Sequence, residues 1–226
     1  MKLLLPLLLL LAQGSLRAAE TPDAPGHYMG RRIAQTMHWS GAAWLIRHER
    51  EREESCSKLL ENLALKPGQT VCDLGCGNGF YTLPMARAVV PGGKVLAVDI
   101  QPEMLRLLNE RAEKEKVSGI ETILGTEDDP KIPEASCDLI LLVDTYHEVS
   151  GPAALLAHTR KALKPDGLLV LAEFRAEDDS VPIRPEHKMS IAEVKAELEP
   201  EGFKLSTVLN DLPWQHILVL TRSDAP

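Results

Sequence analysis

The sequence predicts a single doubly wound α/β domain, and three observations carry that prediction. From Lys66 onward, short apolar stretches of strand character alternate with amphipathic helical stretches. The segment DLILLV at 138–143 is apolar enough to be a central strand. The first strand runs straight into Gly75-Cys76-Gly77-Asn78-Gly79, three glycines in five residues, and a helix follows. Strands separated by helices pair in parallel through right-handed crossovers. Such sheets bind ligands at the carboxyl ends of their strands, where the strand order switches.

Strands are expected at 70–74 (TVCDL), 94–100 (KVLAVDI), 121–124 (ETIL), 138–143, 168–174 (LLVLAEF), about 203–209 and 216–221. One helix is expected from about Gly79 to Val89. A second starts at Pro102, where a first helical turn tolerates proline, and carries the stripe Met104, Leu105, Leu108 and Ala112. A third opens at Pro152, turns Leu155, Leu156, Thr159, Ala162 and Leu163 inward, and is ended by LKPDG at 163–167. Ser190 and Glu193 form a capping box for a fourth, which ends near Pro200–Gly202. There are no internal repeats.

Upstream, residues 31–65 read as helix broken near Ser40-Gly41, with Leu45, Cys56, Leu59, Leu60 and Leu63 at helical spacing. The run RHEREREE at 47–54 offers the pairs Arg47–Glu51 and Arg50–Glu54 and reads as a solvated helix face. Residues 21–30 are a Pro/Gly-rich linker. Lys2, the apolar run Leu3–Ala12 and the small residues Ala18 and Ala19 have the shape of a secretory signal peptide. The run is short of the roughly 20 apolar residues a membrane span needs. The expected division is therefore a signal peptide at 1–19, a linker and helical lid at 20–65, and the α/β domain at 66–226. Export to a periplasm or the exterior follows, unless the start is mis-assigned and the protein is cytoplasmic.

Composition narrows the partners. The 226 residues are 44% hydrophobic and 26% charged, the balance of a globular domain, and only 4% aromatic, so the core must be Leu, Val, Ile and Ala. A net charge of -8 argues against a general nucleic-acid binder, which needs a basic face. Cys56, Cys72, Cys76 and Cys137 contain no CxxC pair and are expected as buried free thiols.

The glycine loop is spaced GxGxG rather than the GxGxxG of dinucleotide folds, and no GK[ST] follows, which excludes a P-loop. Asp73 stands just ahead of it, and Asp99 ends the next strand, 20 residues beyond Gly79. An acid at that place accepts both hydroxyls of a ribose. Asp73 suits a ligand carrying positive charge and would repel a pyrophosphate.

These residues resemble the class I S-adenosylmethionine-dependent methyltransferases of the small-molecule type. VCDLGCGNGFYTLPMA at 71–86 matches their first motif and VLAVDIQPEML at 95–105 the second-strand motif. CDLILLVDTYHEV at 137–149 resembles the fourth-strand motif and LKPDGLLVLAEF at 163–174 the fifth. The resemblance covers roughly Pro67 to Phe174. It implies a Rossmann-like seven-stranded sheet, mostly parallel with a C-terminal antiparallel strand, and helices on both faces. It also implies S-adenosyl-L-methionine as cofactor. Asp73, Gly75, Cys76 and Gly77 would then surround its methionine part, Asp99 its ribose, and Ile100 and Gln101 its adenosine. Gly125-Thr126-Glu127-Asp128 occupies the adenine-contacting stretch, with Thr126 where many relatives have Asp. Asp144 would sit where cofactor meets substrate.

Methyl transfer from a sulfonium needs position above all. A general base is required only when the acceptor carries a tightly held proton. His147 is the first candidate, since its ordinary pKa lies near neutrality, with Glu148 to orient it and Asp144 beside it. Tyr28, Trp44, Tyr146, Glu173 and His187 are candidates for the substrate pocket. His147, Glu148, Glu173 and His187 are of types that suit zinc or iron. Their spacing matches no compact ligand motif, so no metal is expected. The acceptor is expected to be a small molecule. A non-catalytic cofactor-binding sensor and a nicotinamide-dependent oxidoreductase are the competing readings, the latter opposed by the loop spacing and Asp73.

Overall fold

The computed structural model describes residues 23–223, so the expected signal peptide at 1–19 lies outside the described residues. All seven expected strands form: β1 (Thr70–Leu74), β2 (Lys94–Asp99), β3 (Ile120–Leu124), β4 (Cys137–Val143), β5 (Leu163–Arg175), β6 (Phe203–Leu209) and β7 (Gln215–Arg222). They lie in the order β3-β2-β1-β4-β5-β7-β6. The first five pair in parallel, and β7 runs antiparallel to both of its neighbours. A two-residue strand, Lys188–Met189, pairs in parallel with the end of β5. The chain moves outward from β1 to β3 and then returns to β4 on the other side of β1. That reversal opens a crevice at the carboxyl ends of β1 and β4.

The two faces are separated by the period of the strands. Cys72, Leu74, Leu96, Val98, Ile140, Leu142, Leu169 and Leu171 pack on one side with Leu155, Leu156, Val194 and Leu198. Those partners come from α5 (Pro152–Ala162) and α6 (Ile191–Leu198). Val71, Val95, Leu139, Leu141, Val170 and Ala172 pack on the other with Leu59, Met85 and Val89. These belong to α2 (Cys56–Asn62) and α3 (Thr82–Val89). Leu105 and Leu108 of α4 (Pro102–Lys114) join that second side through Ala97. Pro102 opens α4, and the Ser190–Glu193 capping box opens α6, as the sequence indicates. All four cysteines are buried free thiols. No helix of the described residues is long and apolar enough to cross a membrane.

Three expectations change. Residues 31–65 are not a broken helix. Arg31–Arg32 pairs with His27–Tyr28 as a hairpin, within what reads as linker, and an extended stretch leads to a 3₁₀ turn at Trp39–Ile46. Short helices α1 (Arg50–Glu54) and α2 follow, separated by Ser55 in the left-handed region at φ 49°. Tertiary partners override helix propensity here. Arg31 forks onto Glu197 at 2.7 and 3.0 Å, and the Ala34 amide donates to the His147 carbonyl at 3.0 Å. Second, β5 starts at Leu163 rather than 168. LKPDG joins the ladder through a register shift between Cys137 and Leu139. Third, the charged run at 47–54 is not wholly solvated: Arg50 and Glu54 are buried.

Candidate active site

A cavity of about 750 Å³ occupies the crevice, within the roughly 300–1,000 Å³ typical of ligand sites. Its first half is built from backbone. β1 ends in the loop at Gly75, and a Cβ there would stand 2.4 Å from Thr145 Cγ2, on a backbone at φ 80°. Gly77, at φ 51°, would place a Cβ 2.6 Å from Leu45 Cδ1. Both glycines are therefore needed for close approach. Asp99, at the end of β2, accepts from the Gly77 amide at 2.9 Å and the Gln101 amide at 2.8 Å, one on each carboxylate oxygen. Burial raises its pKa, and the amide donors oppose that. Each oxygen keeps a second lone pair for a ligand hydroxyl.

The second half is built from buried side chains. β4 ends at Val143, Asp144 follows it, and a short 3₁₀ turn, Tyr146–Glu148, turns His147 inward. His147 is 1% exposed. Its Nδ1 lies 2.6 Å from Oε2 of Glu173, a residue of β5, and Glu173 Oε1 accepts the Tyr146 amide at 2.9 Å. The ring proton therefore belongs on Nδ1, which leaves Nε2 as a lone pair. That Nε2 stands 3.1 Å from Nδ1 of His187 and 3.9 Å from Glu148 Oε1. Burial pulls the His147 pKa down, but the Glu173 carboxylate outweighs it and the net shift is upward. Burial pushes Glu148 up to about 7, against the charge of His147. Burial and the neighbouring His147 hold His187 below its ordinary value.

The N-terminal segment covers both halves. Gln101 donates to the Met37 carbonyl at 2.9 Å and accepts the Trp39 amide at 2.7 Å, and Asn78 donates to the Ala42 carbonyl at 2.8 Å. Arg50 reaches in from α1, paired with Glu54 at 2.6 Å, lying 4.3 Å over the Phe80 ring and 4.0 Å from Asp144. Of the two pairs read from the sequence, Arg50–Glu54 forms, while Arg47 turns to Glu53 and Glu54 at 2.9 and 2.7 Å.

The structure gathers many of the sequence candidates. Gly75, Gly77, Asp99, Ile100, Gln101, Thr126 and Glu127 line the cavity on one side; Trp44, Asp144, His147, Glu148 and His187 line it on the other. Asp144 has both carboxylate oxygens held by the Gln215 amide at 2.9 and 2.7 Å. Others stand behind the wall. Asp73 is buried under the loop, where it accepts the Thr82 hydroxyl at 2.5 Å; burial raises its pKa to about 6, against that bond. Cys76 is buried within the loop, Tyr146 is buried beneath the turn, and Glu173 holds His147 from behind. Glu173 therefore takes the orienting place that the sequence reading gives to Glu148. Tyr28 and Asp128 are not among the cavity residues. Sequence reasoning misses Arg50, Gln215 and the covering stretch 35–37. A buried arginine and a solvated one look alike in a charged run, and the other two contribute through long-range contacts.

Comparison with known proteins agrees with this geometry. The methyltransferase-domain family model matches residues 65–216. A nocamycin O-methyltransferase from Saccharothrix syringae is 31% identical over 114 residues, 50% of this chain and 41% of that protein. A demethylmenaquinone methyltransferase from Tropheryma whipplei is 35% identical over 112 residues, 50% of this chain and 44% of that protein. The chain spans less than half the length of these curated relatives. Among solved structures, an S-adenosylmethionine-dependent methyltransferase from Aquifex aeolicus superposes with a TM-score of 0.76 at 28% identity, covering 82% of this chain and 98% of that one. A glycine cradle, a ribose-ready carboxylate, the sheet order and these relatives together place the chain in the class I S-adenosylmethionine-dependent methyltransferase family.

Proposed function

We propose that the enzyme methylates a small-molecule acceptor seated between the cofactor and the wall formed by His147 and His187. The observation that carries this reading is the continuity of one cavity from Asp99 to His187. The cofactor half fits its ligand. Asp99 offers two free lone pairs to a diol, and Gly75 and Gly77, without side chains, let Thr145 and Leu45 close against the loop that would cradle the methionine part. Ile100 and Gln101 would flank the adenosine, with Thr126 and Glu127 near the base.

When bound, the cofactor supplies a methyl group on a sulfonium, a leaving group already activated. The chain's own residues then hold and align. Well-oriented partners gain roughly 7–11 kcal/mol over free encounter. Gln35, Thr36, Met37 and Leu45 of the N-terminal segment line the cavity, and Trp44 and Arg50 border the acceptor space. His147, fixed by Glu173 through Nδ1, presents Nε2 on the cavity wall beside His187. Relatives named for nocamycin and demethylmenaquinone carry small-molecule acceptors in their names, which supports this class.

The test is transfer from methyl-labelled S-adenosylmethionine into a cell extract, separated by mass. Label in the low-mass fraction, lost with His147→Ala, is expected. Label confined to protein or nucleic acid would overturn the reading.

A further inference from the structure

Three atoms able to ligate a metal meet on the acceptor wall: His147 Nε2, His187 Nδ1 and a Glu148 carboxylate oxygen, all within 4.8 Å of one another. Two donors on one ion at about 2.0–2.1 Å stand about 2.8–3.4 Å apart when their bonds lie between a right angle and the tetrahedral angle. The imidazole nitrogens already have that spacing, at 3.1 Å. Glu148, 3.9 Å from His147 Nε2, needs a small side-chain rotation.

A second observation is independent of that spacing. Glu173 lies behind His147, fully buried, and is itself fixed by the Tyr146 amide. It pins the ring proton on Nδ1 and aims the Nε2 lone pair into the cluster. A carboxylate in this place orients metal-bound imidazoles and raises their basicity. The sequence spacing hides the arrangement because two ligands are adjacent on a 3₁₀ turn and the third follows 39 residues later, from 148 to 187.

We propose that His147, His187 and Glu148 bind one divalent first-row cation of the zinc or iron(II) type. Two imidazoles and one carboxylate leave coordination positions open, and all three residues line the cavity. The proposal rests on reading this wall as the acceptor's place. It narrows the acceptor to a molecule with a hydroxyl or thiol, which a Lewis acid makes more acidic. In the transfer, the acceptor's oxygen or sulfur forms its bond to the methyl carbon as the carbon–sulfur bond of the cofactor breaks. The electron pair of that bond stays on the cofactor sulfur, the acceptor's proton leaves to solvent, and nothing is oxidised or reduced. The His147 lone pair is then engaged by the ion.

The experiment uses the untagged full chain, stripped with chelator and titrated with Zn²⁺ alone, then with Co²⁺ to read its visible ligand-field spectrum. One equivalent is expected, with a nitrogen-ligated cobalt spectrum. His187→Ala and Glu148→Gln should each weaken zinc binding at least about tenfold, and Glu173→Gln about 10–100-fold through His147. S-adenosylhomocysteine binding, followed in parallel, should stay within about threefold in His187→Ala, since that residue makes no hydrogen bond to Asp99 or to the amides that hold it. Absence of zinc binding by protein that still binds S-adenosylhomocysteine overturns the cation site and leaves the methyltransferase reading standing. An equivalent that survives the His147→Ala/His187→Ala double variant also overturns it, as adventitious.

Discussion

The two halves of the cavity are made of different materials. The cofactor half is backbone: glycines without side chains, and amides of Gly77 and Gln101 that fix Asp99. The acceptor half is a network of buried ionisable side chains, with Arg50 on Glu54, Asp144 on Gln215, and Glu173 behind His147. Backbone gives a shape that tolerates little substitution, and the carboxylate at its centre, Asp99, is held by amides rather than by a counter-ion. Buried charges hold position through partners, so removing one strands another.

The largest expected effect belongs to the cofactor half. Asp99→Ala removes two hydrogen bonds to a charged acceptor, roughly 3–6 kcal/mol, or on the order of 10²–10⁴-fold in affinity. Calorimetry with S-adenosylhomocysteine measures it. A loss below about tenfold would mean the ribose lies elsewhere.

Next comes the charged network. Arg50→Met strips the buried Glu54 of one of its two arginine partners, Arg47 staying at 2.7 Å, and removes the guanidinium beside Asp144, at a cost of up to about 3–5 kcal/mol in a denaturant titration. Adding Glu54→Leu should recover much of that. A single variant as stable as wild type would show that the pair is not desolvated.

Asp73 sharpens the contrast through pH. Its folded pKa of about 6 lies above the ordinary carboxylate value of 3.8, so folding favours the protonated form. Its contribution is fully present below the unfolded value and is lost as pH rises through about 6. Asp73→Asn should therefore gain on wild type between about pH 4 and pH 6, by on the order of 2–3 kcal/mol, and hold that gain above. Parallel stability curves for the two proteins across that range would contradict it.

The smallest effect is expected at Gly77. Ala there carries a left-handed backbone at about 1–2 kcal/mol and displaces Leu45 of the cover. Thermal unfolding should register the first cost, and Leu45→Ala should relieve part of the second. Full wild-type stability with Ala alone would show that the cover is not seated on the loop.

The same contrast explains what could be read from the sequence. Asp73 to Gly79 and Asp99 to Gln101 are contiguous stretches whose geometry is local, so their order at the strand ends is written in the residues. The sheet is legible for the same reason, down to the Ser190–Glu193 cap. The acceptor half is assembled from Arg50, His147, Glu173, His187 and Gln215, which only the sheet brings together. His147, Glu173 and His187 stand out as residue types, but which carboxylate faces which nitrogen depends on β4 lying beside β5. The N-terminal cover reads as helix because its charges and leucines are spaced for one. Contacts with Glu197, Gln101 and the His147 carbonyl pull it into extended and 3₁₀ backbone instead.

One cavity carries a cofactor end at Asp99 and an acceptor end at His187. Titration of S-adenosylhomocysteine into wild type, Asp99→Ala and His187→Ala tests it most directly. Binding by wild type and His187→Ala with near-equal affinity, and its collapse in Asp99→Ala, is the predicted result. Equal weakening in both variants, or an unaltered Asp99→Ala, would contradict it.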